Sequence, residues 1–126
     1  MRIAYVDTSC LVAIAFGERG TAALARRMNE FDELVASNLL EAELRSAFMR
    51  EGVSGAEPLL ESVSWIAPDR PLGREIETVL AAGYLRGADC WHLATALYLS
   101  PEPAELTFLT LDEQQAGVAA VLGFQA

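Results

Sequence analysis

Four short apolar runs, Ile3–Val6, Leu34–Ala36, Val63–Ala67 and Leu106–Leu111, are separated by longer segments with helical spacing. No other feature constrains the chain so tightly. The runs are rich in β-branched, aromatic or leucine residues and are bounded by polar residues or proline, as strands are. Between and after them, helices are expected over Thr8–Phe16, Thr21–Phe31, Leu39–Arg50, Ala56–Glu61, Leu72–Arg86, Ala88–Leu99 and Glu113–Leu122. Strands alternating with helices predict an α/β fold whose parallel sheet is covered on both faces. With 126 residues and no repeat, low-complexity tract or linker, residues 1–126 are expected to form a single domain.

An open sheet of this kind builds its site beyond the carboxyl ends of the strands, where the strand order switches. Asp7 directly follows the first run and Asp112 closes the last, so the two are expected to share one site. Each also suits a helix N-cap, and Gln115 stands at capping-box distance from Asp112. Asp89 follows Gly87 at the start of the apolar stretch Cys90–Leu99, where capping is again an alternative.

Glu43 is harder to explain away. On a wheel of about 100° per residue it falls inside the apolar arc formed by Leu39, Leu40, Leu44 and Ala47. A carboxylate there is costly unless paired or bound to metal. Arg50, seven residues on, is the arginine placed to pair with it.

Ser9 and Thr110 each stand two residues from an aspartate, a spacing that suits orienting water or phosphate oxygens as well as ordinary turns. His92 is the only histidine, so a zinc site is not expected, and Ser9, His92 and an acid fit no nucleophile-elbow pattern. His92 reads as a buried, hydrogen-bonded residue or a peripheral polar one. Cys10 and Cys90 lie in apolar contexts and are expected as buried free thiols. Oxygen-rich acids without His or Cys ligands select Mg²⁺ or Mn²⁺, ions normally shared with phosphate groups, which makes the substrate a phosphate ester.

Eighteen acids against nine bases give a net charge of −9, and every base is an arginine. Nucleic-acid binders are normally basic. Either this chain binds none, or its acid is concentrated where cations neutralise it. No apolar run approaches the ~20 residues of a membrane span, and a signal-peptide pattern is lacking, so a cytoplasmic location without membrane contact is expected.

The missing lysine weighs against three families that acidic α/β chains resemble, namely receiver domains, haloacid-dehalogenase-like phosphatases and restriction-type nucleases. The second of these also carries Asp-x-Asp, where this chain has Ser9 in place of the second acid. The chain carries, in order, VDTS at Val6–Ser9, NLLEAEL at Asn38–Leu44, LRGADCWHLATAL at Leu85–Leu97 and FLTLD at Phe108–Asp112. On these motifs it resembles instead, along its whole length, the PIN domain, and within it the VapC-type toxins. It implies a three-layer α/β/α fold around a central parallel sheet of four or five strands. Asp7, Glu43, Asp89 and Asp112 match the family's metal-binding acids, and Ser9 and Thr110 match the hydroxyls beside them. The implied activity is a Mg²⁺- or Mn²⁺-dependent endoribonuclease, usually a homodimer, cutting single-stranded or looped RNA and restrained by a cognate antitoxin. An antitoxin with a basic segment would suit so acidic a site. Arg19, Arg26, Arg27, Arg45 and Arg50 are the expected RNA contacts. A catalytically silent protein-binding module is the competing reading, and a small-molecule phosphatase a further one.

Overall fold

The structure is a computed structural model describing residues 1–126. Its sheet has four strands, β1 (Ile3–Val6), β2 (Glu33–Ser37), β3 (Ser64–Ile66) and β4 (Thr107–Leu109), all parallel and ordered β3-β2-β1-β4. Register sets Tyr5 opposite Val35 on one side and Phe108 on the other. The two central strands carry the most deeply buried residues, while the edge strand β3 leaves Ser64 and Trp65 exposed. The opposite edge is covered by the chain's end, where Thr107 bridges Gln125 and Phe108 N–H donates to the Gln125 carbonyl at 2.8 Å. The sheet therefore has four strands and one isolated bridge.

The helices are α1 (Thr8–Ala15), α2 (Thr21–Met28), α3 (Leu39–Glu51), α4 (Glu57–Glu61), α5 (Gly73–Ala82), α6 (Gly87–Leu99) and α7 (Glu113–Leu122). They flank the sheet in a three-layer α/β/α arrangement: α1 packs on α2 and α3, and α5 packs on α6 and α7. One core runs through the sheet, drawing Tyr5, Val6 and Ala36 from the strands and Leu11, Leu40, Leu44, Leu93 and Val118 from the helices. No helix is long and apolar enough to cross a membrane.

Three boundaries differ from the sequence expectation by more than one residue. α2 stops at Met28 instead of Phe31, whose ring is covered by the guanidinium groups of Arg2 and Arg27 at 4.8 and 4.7 Å. α5 ends at Ala82 instead of Arg86, because Gly83 turns extended against α7, where a Cβ would meet Val118 Cγ2 at 2.9 Å. β4 ends at Leu109, two residues short of Leu111, so Thr110 and Asp112 belong to the turn into α7 and not to a strand face. The order β3-β2-β1-β4 puts the switch in strand order between β1 and β4, which is where such sheets place their sites.

Candidate active site

The end of β1 runs straight into α1, and Asp7 occupies the junction. Its backbone N–H donates to the Leu109 carbonyl at 2.9 Å, tying the ends of β1 and β4 together. Its Oδ2 accepts the Ser9 N–H at 3.0 Å, so Asp7 is the N-cap of α1. Oδ1 carries no hydrogen bond and stands 4.0 Å from His92 Nε2.

Asp112 caps α7 in the same way, its Oδ1 accepting the Gln115 N–H at 2.8 Å. The return half of the expected capping box is absent. The Gln115 side chain is buried and points elsewhere: its carbonyl accepts the Thr110 hydroxyl at 2.6 Å and its amide donates to the Asp89 carbonyl at 3.2 Å. Thr110 Oγ1 in turn accepts the Asp112 N–H at 3.1 Å. Gln115 thus locks the exit of β4 to the first turn of α6. Capping does not account for Asp89, because α6 starts at Gly87 with Arg86 as its N-cap.

Glu43 does not pair with Arg50, which pairs with Glu51 at 3.0 Å. Its Oε1 instead receives two hydrogen bonds, from the Thr8 hydroxyl and from His92 Nε2, both at 2.7 Å. His92 is fully buried, as one of the two readings expected, and its Nδ1 lies 2.7 Å from the Tyr5 hydroxyl. Tyr5 Oη also accepts the Ser37 N–H at 3.0 Å. Cys10 and Cys90 are buried free thiols, with burial pushing Cys10 up to about 12.

Each acid therefore keeps an oxygen in reserve. Asp7 Oδ1, Glu43 Oε2 and both Asp89 carboxylate oxygens accept no hydrogen bond, yet no buried side-chain nitrogen or oxygen in the molecule lacks a partner. These oxygens must reach solvent. Capping by Asp7 and Asp112 consequently engages one carboxylate oxygen of each and leaves the other free.

The electrostatics join the four acids. Asp89 is raised above the usual aspartate range by burial first and then by the charges of Asp7, Asp112 and Glu43. Burial pushes Glu43 upward too, but the hydrogen bonds from His92 and Thr8 outweigh it and leave the carboxyl below its usual range. No arginine pairs with any of the four. The residues fit a hard divalent cation in chemistry, being oxygen donors whose negative charge is uncompensated. No three His, Cys, Asp or Glu side chains are grouped closely enough to hold an ion, and Asp7, Glu43 and Asp112 are each drawn toward a protein donor.

Three of the arginines expected on RNA are engaged elsewhere. Arg27 pairs with Glu30, Arg45 with Glu41 and Glu57, and Arg50 with Glu51. Arg19, Arg26, Arg74 and Arg86 remain outside any ion pair. Sequence reasoning did not assign Thr8, Tyr5 or Gln115 to the site and left His92 without a role there. His92 had one local signal: it follows Asp89 by three residues and so shares its helix face.

The PIN domain family model matches residues 4–121, nearly the whole chain. The chain belongs to the PIN domain family. No curated protein and no solved structure matches it. PIN domains are generally metal-dependent nucleases, so the hydrolase class follows from membership. In this PIN domain the acids after β1, on α3, on α6 and before α7 lie around the β1–β4 switch point.

Proposed function

We propose that this PIN domain is a Mg²⁺- or Mn²⁺-dependent endoribonuclease and the VapC-type toxin of a toxin–antitoxin pair, working in the cytoplasm as a homodimer. The observation that carries the reading is the set of four carboxylates around the β1–β4 switch, electrostatically coupled, unpaired with arginine and each holding back an oxygen.

Asp7, Glu43, Asp89 and Asp112 would hold the cation. When bound, it supplies an acidified water and neutralises charge on the phosphoryl group. The protein's part is orientation. N-capping fixes Asp7 and Asp112 through one oxygen each, and Glu43 is fixed through Oε1. Ser9 Oγ accepts the Leu111 N–H at 3.1 Å, and its own proton has only a long contact, 3.4 Å, to Thr110. Ser9 is therefore the hydroxyl with a proton to offer a phosphate oxygen or water. Thr110 has committed its proton to Gln115 and serves as a brace.

Net charge −9 leaves RNA to be held by local charge, for which Arg19, Arg26, Arg74 and Arg86 are the free cations. An antitoxin presenting a basic segment would compete with the cation for the same carboxylates.

The test is cleavage of a single-stranded and a hairpin RNA by partner-free protein in EDTA, Mg²⁺ or Mn²⁺. Cleavage should require metal, and Asp7→Asn should lower it at least about a hundredfold. Asparagine is itself a good N-cap, so the circular dichroism spectrum should not change. Cleavage by Asp7→Asn at the wild-type rate would remove Asp7 from the site. Hydrolysis of a simple phosphomonoester with intact RNA would favour the phosphatase reading, and no hydrolysis of either would favour a silent binding module.

A further inference from the structure

We propose that Tyr5 and His92 are positioning residues for Glu43: Tyr5 fixes His92 in its Nε2–H tautomer, and that N–H holds Glu43 Oε1 so that Oε2 stays free for a divalent cation. The inference rests on the metal-dependent reading of the site.

The direction of each hydrogen bond follows from counting donors. The Ser37 N–H points at Tyr5 Oη, so the phenol accepts there and has one proton left to give. The acceptor within reach is His92 Nδ1 at 2.7 Å. An imidazole that accepts at Nδ1 carries its proton on Nε2, and Nε2 faces Glu43 Oε1 at 2.7 Å. The opposite tautomer would set the Nε2 lone pair against a carboxylate oxygen and strand the tyrosine proton. Each fault would involve the fully buried Tyr5 or His92, where an unmade hydrogen bond is most costly.

The rings are held in place as well. Tyr5 stacks on Phe108 with centroids 5.2 Å apart and planes 7° apart, and His92 meets Tyr5 edge-on at 5.7 Å. The Thr8 hydroxyl reinforces the choice of oxygen by donating to Oε1, not Oε2. The result is a relay from a β2 backbone amide, through β1 and α6, to one oxygen of an acid on α3. Outer hydrogen bonds of this kind orient metal ligands, and their loss typically weakens metal binding about 10–100-fold.

The chain has a single histidine, so its imidazole nitrogens give one set of NMR signals that needs no assignment. In EDTA, at a pH where the ring is neutral, the wild type should show the Nε2–H tautomer alone, and Tyr5→Phe should show a mixture. Calorimetric titration with Mn²⁺ should give about 10–100-fold weaker binding for His92→Leu. His92→Gln retains an amide donor and should recover most of that loss. A neutral ring carrying its proton on Nδ1 in the wild type would overturn the proposal. So would unchanged Mn²⁺ affinity in His92→Leu, or equal losses in the Leu and Gln variants, which would make the role one of packing. If His92→Leu does not fold, the wild-type tautomer and Tyr5→Phe decide. A wild type with the Nε2–H tautomer but no Mn²⁺ binding would overturn the metal site itself and reduce the relay to a structural link, so the two failures read differently.

Discussion

Glu43 accepts two hydrogen bonds on one oxygen, whereas the Asp89 carboxylate accepts none and faces three like charges. The two shifts therefore have opposite consequences for stability. Glu43 is lowered, so its contribution is present above the unfolded value, near 4.3, and is lost as pH falls through the folded one. Asp89 is raised, so its contribution is greatest while it is protonated and is lost as pH rises through the folded value. At neutral pH in EDTA, Asp89→Asn should melt above wild type, with the gap shrinking toward pH 4. Glu43→Gln should melt below wild type by about 1 kcal/mol, since a charge-assisted acceptor becomes a neutral one. Melting curves from pH 4 to 7 check both signs. A stabilised Glu43→Gln together with a destabilised Asp89→Asn would reverse this assignment of charges.

At the level of elements, the close approach of α5 and α7 at Gly83 makes a sharp expectation. Its backbone is extended and unstrained, so only the Val118 methyl resists a larger residue. Gly83→Ala should cost about 1–3 kcal/mol by overpacking. Adding Val118→Ala should cost less in that background than in wild type; thermal denaturation of the four proteins gives the coupling. Equal costs in both backgrounds would deny the contact. Nothing local announces this approach, which is why helical spacing ran α5 on to Arg86. Most other boundaries were legible because apolar spacing is a local property: Ile3–Val6 and Glu113–Leu122 stand where their patterns put them. Asp7 and Asp112 drew notice because each closes an apolar run, and Glu43 because it falls on an apolar arc, whereas Asp89 opens an apolar helix and stood out only through the family resemblance. The partners of these acids were not legible. Tyr5 and His92 are 87 residues apart, and only the assembled β1–α6 contact reveals that the histidine, not Arg50, satisfies Glu43.

For the whole molecule, the net charge of −9 ceases to conflict with a nuclease once its distribution is seen. Five arginines are spent in ion pairs, and the acids around the β1–β4 switch are left uncompensated. Folding has gathered like charges there against their repulsion, and a cation that bound only the folded form would offset that cost. At ten times its Kd the gain is about 1.4 kcal/mol, or on the order of 5 °C in a domain of this size. The most direct test is to count Mn²⁺ bound per chain by electron paramagnetic resonance, in wild type and in Asp7→Asn. The account predicts one or two ions on the wild type, and loss of that binding in Asp7→Asn with its helix cap and fold intact. No bound Mn²⁺ on the wild type, or the same number on both proteins, would contradict it.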